Sequence, residues 1–126
     1  MSDWHDVREE LRAFALRLPE AHEDHPWGET VIKANKKVFL FLGIDEQTEK
    51  WDSMFSVKLV SEAHGHALTV EGAAPTGHGL GRAGWVTVPF LSELPETEVL
   101  LDWVEESYRA IAPKRAVKQL DEHPVR

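Results

Sequence analysis

His22-Glu23-Asp24-His25 is the densest set of metal-ligating side chains in the sequence. Two histidines three apart with two carboxylates between them can ligate zinc or a harder ion when a helix controls their geometry. This stretch lies between Pro19 and Pro26, so it reads first as a solvated acidic loop and only second as a metal site. His64, His66 and His78 flank a glycine-rich stretch and can converge with it, but no cysteine or helical histidine pair completes a ligand set. That stretch, Gly77-His78-Gly79-Leu80-Gly81-Arg82-Ala83-Gly84, looks like a phosphate loop. A dinucleotide fingerprint must follow a strand and open a helix, whereas this loop runs into a strand and has no Gly-Lys-Ser/Thr ending. What remains is a flexible loop whose amides, at Gly79 and Gly81, and whose Arg82 can accept one anion; plain loop conformation is the simpler reading. The chain has no Gly-x-Ser-x-Gly elbow and no recognisable serine–histidine context. Zero cysteines exclude a thiol nucleophile, a Cys-ligated zinc and a disulfide scaffold. Carboxylate pairs such as Glu105-Glu106 read as solvated helix faces. The sequence therefore carries no catalytic constellation, and it implies no cofactor.

A chain of 126 residues with 42% hydrophobic and 29% charged residues has room for one domain with one core. Its net charge of −8 excludes a general nucleic-acid coat, because the far field repels phosphate. That charge is uneven. Residues 1–30 carry eight acids and three bases, residues 31–60 four and five, residues 61–90 two and one, and residues 91–126 eight and five. Ser107–Leu120 holds no acid but carries Arg109, Lys114, Arg115 and Lys118. The first residues lack a basic region followed by an apolar one. The longest apolar run, Val38–Leu42, is far short of a membrane span. A cytoplasmic domain with no membrane partner is expected.

The elements that must position these residues follow from periodicity. Trp4, Val7, Leu11, Phe14 and Leu18 step by three and four along one helical face, with Ser2 or Asp3 as cap and Pro19 as stop. Pro19–Gly28 reads as a polar loop. Glu29–Ala34 alternates as a strand, Asn35-Lys36 makes a tight turn, and Lys37–Gly43 returns apolar on both faces, as an interior strand does. An acidic connection, Ile44–Asp52, leads to a strand over Ser53–Val60. Ser61–Val70 fits a short helix capped by Ser61, and Gly72–Gly84 reads as a loop with five glycines in thirteen residues. Trp85–Pro89 is a fourth strand. A helix from Pro95 to about Ile111 buries Leu100, Trp103, Val104 and Ile111 with Ser107 on the same side, and Pro113 ends it. The tail from Lys114 can add a helical turn. The expected fold is α+β: a single antiparallel sheet with helices packed on one face, in the order α-β-β-β-(α)-β-α.

Alternation then sorts the sheet. If Phe55, Val57, Leu59, Val86 and Val88 face the helices, Ser56, Lys58, Trp85 and Thr87 face outward. Lys33 can lie with them, and Arg82 sits in the loop before the last strand. A sheet face with lysines, an indole and no acids suits phosphates and bases. The plain alternative is that a one-sided antiparallel sheet always needs a polar outer face.

Pro19-Glu20, Pro26-Trp27-Gly28, Lys33 and Lys37-Val38-Phe39 stand in the order found at the start of the MmcQ/YjbR family. Ser56-Val57-Lys58-Leu59, Gly84-Trp85-Val86-Thr87-Val88, Ser107-Tyr108-Arg109 and Pro113-Lys114-Arg115 continue it. The chain resembles that family over about residues 4 to 115. The resemblance implies a small bacterial domain with a frataxin-like or double-wing arrangement, often labelled DNA-binding, with no enzyme activity implied. Carried over by position, the family's polar and aromatic set falls on Trp27, Lys33, Lys37, Lys58, Trp85, Ser107, Tyr108, Lys114 and Arg115. The expectation is a monomeric or dimeric domain that binds DNA weakly and salt-sensitively through Lys33, Lys37, Lys58, Arg82, Trp85, Lys114 and Arg115. The alternative is a pocket for a small anionic ligand, built from the Gly77–Gly84 loop with Trp27 and Tyr108. A third reading is metal binding through Asp3, Asp6, Glu9, Glu10, Glu23 and Asp24.

Overall fold

A computed structural model describes residues 3–45 and 53–126; most of the acidic Ile44–Asp52 connection lies outside the described residues. Helix α1 spans Trp4–Arg17, followed by strand β1 (Ala21–Asp24), a 3-10 turn at Pro26–Gly28, β2 (Thr30–Ala34) and β3 (Lys37–Gly43). Next come β4 (Met54–Lys58), the short helix α2 (Ala63–Leu68), β5 (Ala74–Pro75) and a 3-10 turn at Leu80–Ala83. Strand β6 (Trp85–Pro89) and helices α3 (Thr97–Ile111) and α4 (Lys114–Glu122) complete the chain. The strands form one antiparallel sheet in the order β1-β2-β3-β4-β6-β5, with the helices gathered on one face. This is the expected α+β class.

Three elements add to the order read from sequence. Strand β1 lies inside the stretch expected to be a polar loop. It is an edge strand of four residues, and its Ala21, His22, Glu23 and Asp24 pair with Ala34, Lys33, Ile32 and Val31. Charged edge strands carry no apolar alternation, which is why periodicity misses them. Strand β5 is two residues at the other edge, pairing Ala74 and Pro75 with Thr87 and Val86. Helix α4 is nine residues rather than one turn, yet it buries only Ala116 and Leu120, too narrow a stripe to read in advance.

The core lies between the sheet and α1 and α3. Leu11, Phe14, Ala15 and Leu18 meet Leu100, Trp103, Val104 and Tyr108 over Ile32, Phe39, Leu40, Leu42, Phe55, Val57, Val86 and Val88. Strand β3 reads apolar on both faces because its ladder with β2 shifts register. Ile32 pairs with Leu40 and Lys33 with Val38, so Phe39 is one residue too many. Phe39 and Leu40 both enter the core. Val38 and Phe41, paired with Lys33 and Val31, take the outer face. Helix α2 begins two residues after Ser61 and its N-cap is Glu62, not Ser61; the Ser61 hydroxyl, one position before that cap, accepts from the Ala63 amide at 3.1 Å.

Candidate functional site

Antiparallel pairing brings separate parts of the sequence to one edge of the sheet. The end of β2, the Asn35-Lys36 turn, the start of β3, the end of β4 and the start of β6 all lie there, since Ala34 pairs with Lys37 and Lys58 with Trp85. The C-terminal end of α3 reaches the same edge, and α4 starts from it. Lys33, Lys36, Lys37, Lys58, Arg82, Lys114 and Arg115 therefore meet at one end of the molecule, although they span more than eighty positions of sequence.

Two glycines and a serine fix this edge. Gly84 has φ +100, and a Cβ there would stand 2.8 Å from the Leu59 carbonyl oxygen. The chain must come this close because the Leu59 amide donates to the Gly84 carbonyl at 2.9 Å. The stem of Lys58 lies beside Gly84, its Cγ 3.8 Å from the same position, which sets Lys58 next to the turn bearing Arg82. Gly81 is packed on Pro75, where a Cβ would stand 2.7 Å from the proline Cβ. Between β3 and β4 the ladder opens, and Ser107 of α3 fills the gap. Its hydroxyl, wholly buried, donates to the Phe39 carbonyl at 2.6 Å and accepts from the Lys58 amide at 2.9 Å. Glu106, read from sequence as a solvated face residue, accepts from the amides of Val60 and Ser61 and from the Ser61 hydroxyl. It holds the β4–α2 connection. Glu105 is likewise engaged, with Arg109 and Arg126.

The cations divide into two groups. Seven of the thirteen described lysines and arginines are already satisfied. Arg8 donates to the Leu42 and Gly43 carbonyls, Arg12 to Glu9 and Glu23, and Arg17 to the Val125 carbonyl. Arg109 pairs with Glu105 and Asp121, and Arg126 with Glu98, Asp102 and Glu105. Two edge cations belong with them: Lys33 is 2.8 Å from Asp24, and Arg115 grips both oxygens of Glu20 at 2.8 and 2.7 Å. These contacts hold the Asp24 and Glu20 carboxyls below the usual carboxylate range, chiefly through the hydrogen bonds from Lys33 and Arg115. Among the described residues, the bases with no such partner are Lys36, Lys37, Lys58, Arg82, Lys114 and Lys118. Five of them stand on this edge, and Lys118 is one helical turn along α4. Lys36 and Lys118 were outside the sequence-derived site. The signal for Lys36 was its place in a turn, which only matters once the sheet shows what that turn adjoins.

The aromatic members of the expected site are placed differently. Trp85 is on the outer face, as alternation predicts, but only 6% of it is exposed. Its ring stands edge-on to Phe41, centroids 5.3 Å apart. Tyr108 is wholly buried, edge-on to Phe39, and its hydroxyl donates to the Pro19 carbonyl at 2.8 Å. Burial pushes that hydroxyl's pKa up to about 12. Trp27 is 98% exposed at φ +52, in the turn between β1 and β2 at the opposite end of the sheet. Trp27 and Tyr108 therefore do not share a pocket with Gly79 and Gly81. An open cavity of about 670 Å³ lies at that opposite end, among Ser53, Glu71, Pro89 and Ser92. A smaller one of about 300 Å³ lies by Arg109 and Arg126.

Strand alternation separates the suspected metal ligands. His22 and Asp24 lie on the outer face with Lys33 and Val31, while Glu23 turns to Arg12 and takes His25 at 2.7 Å. Among the described residues, no group of three His, Cys, Asp or Glu could hold a metal ion, and no helix is long and apolar enough to cross a membrane.

A comparison with curated proteins finds no match. The YjbR family model matches residues 16–110, a span that holds both sides of the Ser107 bridge and ends just before α4. The chain belongs to the YjbR family.

Proposed function

We propose that this YjbR domain is a non-catalytic, nucleic-acid-binding module that holds the phosphate backbone of DNA along the basic edge. One observation carries the reading. In a chain of net charge −8, five of the six described cations left without a partner gather on one edge, while the other described lysines and arginines are engaged by carboxylates or carbonyls. The supporting chemistry is electrostatic: lysines and Arg82 meet phosphates, releasing counterions. Base stacking has no part in it, since Trp85 is packed against Phe41 and the exposed Trp27 is at the far end. The reading takes the domain as cytoplasmic, monomeric or dimeric, with the frataxin-like or double-wing layout that the family resemblance implies.

The edge from β2 to β6 spans three strand spacings, roughly 14 Å. That matches about four phosphates of one strand, so the log–log salt slope is expected near −3.6. Fluorescence anisotropy of a labelled DNA duplex across a salt series measures it. Lys58→Gln and Lys36→Gln should each lower the slope by about 0.9, with no change in tryptophan emission on binding. An unchanged affinity in the double variant would remove this edge as the binding surface.

A further inference from the structure

Two of the edge cations differ from the rest. Lys33 and Arg115 belong to the basic edge by their place in the fold, but each is held by a carboxylate from one short stretch, Asp24 ending β1 and Glu20 immediately preceding it. The Arg115 pair is bidentate, both guanidinium nitrogens on the two Glu20 oxygens. A guanidinium grips a phosphate in the same fork geometry. Glu20 is set for this by an unusual backbone, φ +62, and its carbonyl accepts the Asn35 amide at 3.2 Å. That bond fastens it to the Asn35-Lys36 turn that carries the unpaired Lys36. Each pair has one well-exposed member that water and ions can reach, Arg115 at 66% against Glu20 at 30%, and Asp24 at 51% against Lys33 at 27%. Water and ions compete for exposed pairs, and a phosphodiester offers the Arg115 fork the same two-oxygen geometry as Glu20, so an incoming phosphodiester can take the place of the carboxylates.

We propose that Glu20 and Asp24 are internal phosphate mimics, which hold Arg115 and Lys33 out of the DNA interface and set its affinity below what the edge could deliver. This rests on the reading of the edge as a DNA-backbone surface and deepens it by naming what restrains it. Neutralising either carboxylate frees one cation for one further phosphate. With a dependence on salt of about 0.9 per contact, one added contact tightens binding roughly eightfold at 0.1 M salt and steepens the slope by about 0.9.

The test uses the full chain and a labelled random-sequence duplex, with Glu20→Gln, Asp24→Asn, the double variant, and Glu93→Gln as a control. Glu93 lies exposed at the opposite end, so its variant changes net charge equally without freeing an edge cation. The proposal expects Glu20→Gln and Asp24→Asn each to bind several-fold tighter with a steeper slope, and Glu93→Gln to stay within about twofold of the parent. Variants no tighter than Glu93→Gln would overturn it, and if Lys58→Gln still weakens binding, the basic edge survives that failure. No binding by the parent or any variant at low salt would overturn the edge reading, and this proposal with it. Asp24→Asn keeps the test valid should Glu20→Gln disturb the turn it supports.

Discussion

Replacing Ser107 by alanine removes one hydroxyl and orphans two backbone groups at once. The hydroxyl joins the Phe39 carbonyl to the Lys58 amide across the place where β3 and β4 separate. Phe41–Ser56 is the pair that the two strands do form. Ser107 is wholly buried, so no water replaces it. An unsatisfied buried group costs about 1–3 kcal/mol, and two of them, partly relaxed, come to about 3 kcal/mol. An entropy of unfolding of about 2.1 cal/mol/K per residue gives roughly 0.26 kcal/mol/K for a chain of this size. The expected fall in Tm is therefore about 11 °C. Ser92→Ala is the matched control, because its hydroxyl donates to the Glu71 carbonyl at 2.6 Å from a site that water reaches. That variant should lose no more than about 2–4 °C, the share of a hydrogen bond worth about 0.5–1 kcal/mol.

Thermal unfolding by circular dichroism reads both variants, and native-state hydrogen exchange reads the Lys58 amide directly. The expected outcome is a large Tm loss in Ser107→Ala with faster exchange at Lys58. A Tm within the range of Ser92→Ala, or unchanged protection at Lys58, would refute the claim that Ser107 bridges the two strands. The bridge also concerns function: it fixes the backbone that carries an unpaired lysine of the basic edge, so Ser107 is a positioning residue for that edge.

Much of this was legible in the sequence, and the limits have physical causes. The helical stripe of α1, the strands β3 and β6 and the Asn35-Lys36 turn follow from periodicity and turn chemistry, and Asn35 does take φ +58. The outward placement of Ser56, Lys58, Trp85 and Thr87 followed from alternation alone. Alternation gives direction but not burial, so it could not show that Phe41 closes over Trp85. Nor could it place Trp27 and Tyr108 at opposite ends, because that depends on strand order. The pairing of Arg115 with Glu20 joins positions 95 apart and is invisible to any local pattern. Charge counting located the basic tail and the basic sheet separately; only the antiparallel register makes them one surface.

Tyr108 is the only tyrosine in the chain, so its ionisation can be followed by ultraviolet absorbance without assignment. Its pKa is raised from 10.0 to about 12, chiefly by burial. The fold favours the neutral phenol, so this stabilisation is complete below pH 10 and is lost as pH rises from about 10 to 12. A midpoint near 10 with circular dichroism unchanged would contradict the buried placement. Gly84→Ala combines a left-handed φ with a Cβ 2.8 Å from the Leu59 oxygen, whereas Gly28→Ala at φ +82 meets open space. Strain alone costs about 1 kcal/mol in such positions. Urea denaturation should therefore show Gly84→Ala markedly worse than Gly28→Ala, and equal losses would rule out the close approach at the Leu59 carbonyl.

On the reading of the basic edge as a DNA surface, a domain with an excess of eight negative charges can hold DNA there only if the acids not engaged at the edge, as Glu20, Asp24 and Glu106 are, act from too far away to be felt. The distances allow that at physiological salt and not below it. Asp3 and Asp6 at the start of α1, and Glu96 and Glu98 at the start of α3, lie with Glu29, Asp45 and Glu93 at the end opposite the basic edge. The seven residues of β3 separate the two ends by roughly 20 Å at about 3.3 Å per residue. The screening length is about 8 Å at 0.15 M ionic strength, so the acidic end is more than two screening lengths away and the edge acts as a local cation cluster. At 0.01 M the screening length is about 30 Å, longer than that separation, and the acidic end is felt at the edge. The affinity of this domain for DNA should therefore rise as salt falls from 0.2 M, then flatten below about 0.02 M, where a uniformly basic protein would continue on the same line. Adding the charge-neutralising changes Glu93→Gln and Glu96→Gln at the far end should restore part of the lost slope at 0.01 M and do nothing at 0.15 M. Linear salt dependence down to 0.01 M would show that the acidic end is not felt at the edge, and the separation argued from the strands would be wrong.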